Sequence, residues 1–137
     1  MDRSIVALAG AALASAGIPV GEVEHVSAHG TSTVLNDRTE ARAFRFLFGS
    51  RLADVSVTAL KSMTGHAIGG SGAMEIAALA LSLHRGILLP TINHETPDPE
   101  CEVALVANRP VPGRPRVALT LSYGFGGHNA GLVLTPA

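Results

Sequence analysis

Apolar and polar positions along this chain change period several times, and each change marks an element. Ile5, Leu8, Ala12, Leu13 and Ala16 recur at helical spacing, and Gly17 followed by Pro19 supplies a stop, so a first helix is expected there. Val23–Ala28 is β-compatible and delivers His29 at the end of a strand. Asp37 and Glu40 have the spacing of an N-cap and its third-position partner, which predicts a helix from Asp37 through Phe48, stopped by Gly49. Arg38, Arg42 and Arg45 lie on its polar side. Val55–Leu60 is a short, largely β-branched run that reads as a buried strand. From about Gly70 to Leu83 the pattern is helical but apolar on every side, with Glu75 the only ionisable residue between Ala73 and Leu83. Such a helix should be buried all round. It predicts a helix layer held between two sheets, one of which need not come from this chain.

Gly86–Pro115 carries six prolines and no helical period, and it reads as an extended excursion with one short strand near Val103–Val106. Val117–Leu121 and Leu132–Thr135 then read as adjacent strands joined by the turn SYGFGGHNAG. Strands alternating with helices, closed by a hairpin, predict an α/β layered fold with a mixed sheet.

Composition narrows the function. The 137 residues are 47% hydrophobic and only 15% charged, which suits one domain with a real core and a surface partly covered by another chain or segment. A formal net charge of −1 lacks the concentrated basic face of a nucleic-acid binder. The single cysteine, Cys101, excludes an internal disulfide framework and a four-cysteine zinc site. The apolar amino-terminal run is too short to span a bilayer and reads as an Ala-rich helix, so no membrane partner and a cytoplasmic location are expected.

Three loops carry the candidate chemistry: His29 with Thr31 and Thr33, Lys61 with His66, and Phe125 within GFGG. Loops at one end of an α/β sheet converge on ligands. Two neutral imidazoles could then stabilise an oxyanion or enolate while a lysine sets the electrostatic balance. His25, His84 and His94 read as ordinary satisfied polar groups, and the same bland reading competes for His29, His66 and His128. Metal chemistry is not indicated: His25 and His29 are four apart, but the glutamate of HExxH is missing. Gly65–Gly72 lacks the Lys-Ser/Thr ending of a phosphate-binding loop.

The motifs AHGTST with Asn36, Asp37 and Glu40, then KSMTGH from Lys61 to His66, then GFGGHNA from Gly124, come in an order and spacing that resembles the β-ketoacyl-acyl carrier protein synthases. TPDPEC at Thr96–Cys101 fits the same pattern, and the resemblance covers essentially the whole chain. It implies a thiolase-like layered fold in which two related αβα halves share a central helix layer, with residues 1–137 as the carboxyl-terminal half. The implied reaction is a decarboxylative Claisen condensation of an acyl thioester with malonyl on acyl carrier protein, in fatty-acid or polyketide synthesis. The resemblance casts His29 and His66 as stabilisers of the developing enolate and Lys61 as the electrostatic organiser. Thr31 and Thr33 become ligands of the pantetheine arm, and Phe125, with Gly126 beside it, the gate between the acyl and malonyl sites. Glu40 becomes an acidic partner near the lysine. Implied partners are acyl carrier protein, an amino-terminal ketosynthase half and a second copy in a homodimer. The only implied cofactor is the 4'-phosphopantetheine borne by the substrate.

Two departures qualify this resemblance. Such synthases need a nucleophilic cysteine, and nothing here resembles its motif. Cys101 lies between Glu100 and Glu102, whose charges raise a thiol's pKa. The chain alone is therefore expected to be inactive. The family also implies a buried monovalent cation near Glu75, yet Ser27 and Leu121 stand where asparagines are common. The alternative reading is a non-catalytic, chain-length-type partner of a ketosynthase; retention of both histidines and the lysine argues against it.

Overall fold

The strands alternate polar and apolar residues, and that alternation decides which helix covers which face. In the computed structural model, which describes residues 3–136, helix α1 (Arg3–Ala16) leads into strand β1 (His25–Ser27). Helix α2 (Val34–Phe48), strand β2 (Ser56–Thr58), the short helix α3 (Lys61–Thr64) and helix α4 (Ser71–Arg85) follow. The remaining strands are β3 (Ile87–Leu88), β4 (Ala104–Leu105), β5 (Val111–Pro112), β6 (Ala118–Tyr123) and β7 (Asn129–Leu134). Five of them form one sheet in the order β4-β2-β1-β6-β7. All pairings are parallel except β6 with β7, the closing hairpin. The pair β3-β5 makes a separate antiparallel ribbon inside the proline-rich excursion, which the sequence pattern did not predict.

Register places His25 beside Ser56 and Ala118, and Ser27 beside Thr58 and Thr120. Side chains point alternately to opposite faces of a sheet. Val26, Ala28, Val57, Leu119 and Leu121 therefore share one face, where they form a single core with Ile5, Ala9 and Leu13 of α1 and Ala43, Phe44 and Phe48 of α2. His25, Ser27, Thr58 and Thr120 face the other way and are buried. A small apolar cluster of Leu79, Leu83 and Ala118, with Leu134 packed against it, lies on that side. Parallel sheets usually read as continuous apolar runs; here the layer under α4 is polar instead.

Helix α4 accordingly buries Ser71, Glu75, Leu79, Ser82 and Leu83. Its opposite face is uncovered, with Leu81 60% and Met74 41% exposed. The expectation of burial all round is thus met on one side only among the described residues. Helix α2 begins three residues earlier than predicted, with Thr33 in extended conformation as its N-cap residue. Its arginines hold the chain after β3: Arg38 pairs with Asp98 and Glu100, Arg42 with Glu100, and Arg45 donates to the Pro99 carbonyl.

Candidate active site

His29 follows β1 on the α4 side of the sheet and is buried. Its position is set from behind by Glu40. One carboxylate oxygen of Glu40 accepts the His29 main-chain N–H at 2.9 Å, and the other accepts the Gly30 N–H at 2.7 Å. Asn36 Nδ2 adds a third donor at 2.8 Å. Burial pushes the Glu40 carboxyl above the usual carboxylate range, with the N–H donors pulling the other way. Gly30 is required here. Its φ is +48°, and a Cβ on it would lie 2.5 Å from Cβ of Ala59. Glu40 is thus not a capping-box partner of Asp37, which lies inside α2: it spans from α2 to the turn after β1 and lines the same cavity as Lys61.

Lys61 finds its carboxylate on α4. Its ammonium pairs with Glu75 Oε1, donates to the His29 carbonyl at 2.5 Å, and reaches His29 Nδ1 at 3.3 Å. Both members of the ion pair are buried, with 4% and 1% of their side chains exposed. Burial raises the Glu75 carboxyl's pKa, and the lysine opposes the shift.

Hydrogen bonding assigns both imidazole tautomers. His29 Nδ1 faces two donors, the Lys61 ammonium and the Tyr123 main-chain N–H at 3.4 Å, so its own proton belongs on Nε2. Burial first, and then the charges of Lys61 and His66, depress the His29 pKa to about 4. His66 Nδ1 accepts the Ile68 N–H at 3.1 Å and lies 3.1 Å from Ser71 Oγ, so it too carries its proton on Nε2. The rings meet edge to face, their centroids 5.6 Å apart and their planes at 87°. The result is two N–H donors on adjacent, perpendicular rings, of which His29 is held neutral at physiological pH.

A cavity of about 480 Å³ opens beside His66 and Lys61; His29 itself is not in its lining, although its neighbours Ala28 and Gly30 are. Thr31, Lys61, His66, Asn93, His94 and Cys101 are among its polar lining, together with apolar residues such as Phe44 and Leu105. Thr31, in the lining, is hydrogen-bonded through its hydroxyl to that of the exposed Thr33 at 2.9 Å. Phe125 and Gly126 stand outside the cavity lining, on the β6–β7 turn, and Phe125 is fully exposed. Cys101 keeps its thiol protonated: burial first, and then Asp98, raise its pKa.

The cation implied near Glu75 does not fit the residues present. Glu75 Oε2 is buried with no protein donor among the described residues. The space beside it, lined by His25, Ser27, Thr58 and Ser82, measures about 10 Å³, which matches one water molecule. Glu75 is already neutralised by Lys61, and a metal ion would leave a net charge buried. Ser27 faces this space, whereas Leu121 points into the α1 core on the opposite face.

Three contributors escaped sequence reading: the Tyr123 main-chain N–H, Asn36 as a second hold on Glu40, and Ser71 behind His66. Asn36 was legible only as part of the motif with Asp37 and Glu40, without this role, and Ser71 only as a hydroxyl at the start of the helix that follows the histidine.

A family model described as "Beta-ketoacyl synthase, C-terminal domain" matches residues 2–95. A 3-oxoacyl-[acyl-carrier-protein] synthase 2 of Synechocystis sp. is 44% identical over 126 residues, covering 88% of this chain and 29% of that protein. The tetracenomycin polyketide synthase ketoacyl synthase alpha subunit of Streptomyces glaucescens is 42% identical over 113 residues, covering 82% of this chain and 26% of that one. One solved structure holds a type II polyketide synthase acyl-carrier protein in complex with its ketosynthase bound to the hexaketide. A chain of that complex superposes on this one with a TM-score of 0.94 at 36% identity, over 97% of this chain and 33% of its own length. The chain spans about a quarter to a third of the length of these relatives. Its layered α/β architecture is that of the ketosynthases, and with most of its length matched by their family model, the chain belongs to the β-ketoacyl synthase C-terminal domain family.

Proposed function

We propose that this chain is the carboxyl-terminal half of a β-ketoacyl-acyl carrier protein synthase and supplies the malonyl-decarboxylating side of its active site. The observation that carries this reading is the paired arrangement of His29 and His66, each with Nδ1 occupied by donors and Nε2–H left for a ligand. The malonyl thioester oxygen sits between these two N–H groups. As the bond to the carboxylate breaks, carbon dioxide leaves and the electron pair enters the enolate, whose negative charge falls on that oxygen. Each donor aimed there is worth about 3 kcal/mol of barrier lowering. The enolate carbon then attacks an acyl thioester on a cysteine of the amino-terminal half, expelling the thiolate and leaving a β-ketoacyl product on the carrier. Burial does most to keep His29 neutral, and Lys61 adds to it, because a cationic neighbour disfavours a second positive charge.

Thr31, in the cavity lining, and Thr33, bonded to it, receive the 4'-phosphopantetheine arm, and Phe125 closes over the site once the other half packs beside it. The uncovered face of α4 is where that half docks. Acyl carrier protein and a second copy of the complete enzyme are the remaining partners. None of the described helices is long and apolar enough to cross a membrane; we place the enzyme in the cytoplasm.

Co-expression with an amino-terminal half tests this function. Malonyl-carrier decarboxylation should appear in the assembly and fall by two to three orders of magnitude, on the order of 3 kcal/mol, in His29→Ala and His66→Ala. Undiminished activity in both variants rules out the catalytic reading and favours a chain-length partner.

A further inference from the structure

The two imidazoles are fixed in different ways. His29 is buried against the Lys61 ammonium, but His66 is exposed and its tautomer rests on local donors. One is the Ile68 N–H, delivered by a left-handed backbone (φ 48°) that a β-branched residue seldom adopts. The other is Ser71 Oγ, 3.1 Å from the same Nδ1 and on a residue only 4% exposed. Because the Ile68 N–H already makes Nδ1 an acceptor, the Ser71 hydroxyl must be donating. It has no capping duty to divert it: Gly70 is the N-cap residue of α4, and Ser71 begins the helix.

Ser71 and Glu75 are four residues apart and share the buried face of α4. One helical turn therefore holds both sides of the site. Ser71 reaches His66, and Glu75 reaches Lys61, which in turn reaches His29. We infer that Ser71 is a positioning residue, which holds His66 as the Nε2–H tautomer and ties its ring to the same helix that orients His29. This rests on the proposed role of His66, and the test separates the two ideas.

The chain is labelled with [15N]histidine and the His66 ring nitrogens are assigned by comparison with His66→Gln. The wild type should show Nδ1 unprotonated and shifted by hydrogen bonding. Ser71→Ala should move that resonance towards the free imine position, and Ser71→Thr, which keeps a hydroxyl, should restore it. An Nδ1–H tautomer in the wild type, or an unchanged Nδ1 resonance in Ser71→Ala, overturns the inference. The wild-type measurement relies only on His66→Gln, a change at an exposed residue, and not on the folding of a variant at the buried Ser71. In the co-expressed assembly, Ser71→Ala should lower kcat for decarboxylation about three- to tenfold at little change in KM, the size of one ordinary hydrogen bond. An inactive wild-type assembly with the expected resonances would defeat the proposed function and leave the positioning role of Ser71 standing.

Discussion

The Lys61 ammonium sits 3.3 Å from Nδ1 of His29 while its charge is matched by Glu75 on α4. The lysine thus donates to the ring nitrogen that must not carry a proton, and its positive charge discourages the ring from gaining a second one. Replacing it breaks a buried pair from one side only, the costly way to break one. Lys61→Met should destabilise the fold by about 3–5 kcal/mol at pH 7. With its partner gone, the Glu75 carboxyl rises further. A carboxyl raised in the folded state favours folding most below its unfolded pKa and loses that contribution as pH climbs through the folded value. The variant should therefore recover stability on acidification, and Lys61→Met with Glu75→Gln should recover part of it at pH 7. Urea midpoints at two pH values check both.

Gly30→Ala tests the turn that presents His29. The added methyl meets Ala59 at 2.5 Å, at a backbone φ of +48°. Close packing and strain act together, so a loss of about 2–4 kcal/mol is expected. A midpoint within experimental error of the wild type would show that the turn after β1 is loose.

His25 predicts an acid-sensitive layer. It is 2% exposed, bonded through Nδ1 to Ser56 Oγ at 2.8 Å, and its pKa is depressed by burial to about 4. The unfolded chain binds the proton more tightly, so stability from this group is complete above the ordinary value of 6.5 and is lost as pH falls towards 4. His25→Asn keeps a donor for Ser56 and removes the titration. The wild type should lose about 3 kcal/mol relative to this variant between the two pH values. Taking the difference cancels Glu40 and Glu75, which titrate with the opposite sign. Parallel stability curves would show that His25 does not titrate there.

Sequence pattern and structure agree where a single period governs a segment. Val55–Leu60, the closing hairpin and the helix containing Glu75 are all legible because periodicity reports burial. The convergence of His29, Lys61 and His66 was legible from strand ends. Glu40 was not, because the spacing from Asp37 fits a local cap equally well and only tertiary contact shows its carboxylate turned to the His29 and Gly30 amides. The Tyr123 contribution is invisible in any sequence, since a main-chain N–H has no letter. Composition showed that α4 was too apolar for a free surface, but the chain covers only one of its sides.

That uncovered side gives the last prediction. Leu81 is 60% exposed on α4, just before the buried Ser82 and Leu83 and on the side away from the sheet. A glutamate there meets water in this chain alone, so Leu81→Glu should leave its unfolding midpoint close to the wild type, within about 0.5 kcal/mol. Packed under a second sheet, the same carboxylate would be buried without a partner and would cost several kcal/mol. Pull-down of a tagged amino-terminal half should therefore fail with Leu81→Glu and succeed with Arg85→Glu, an exposed change in the last turn of the helix. Equal recovery of both variants would mean that the two halves meet elsewhere.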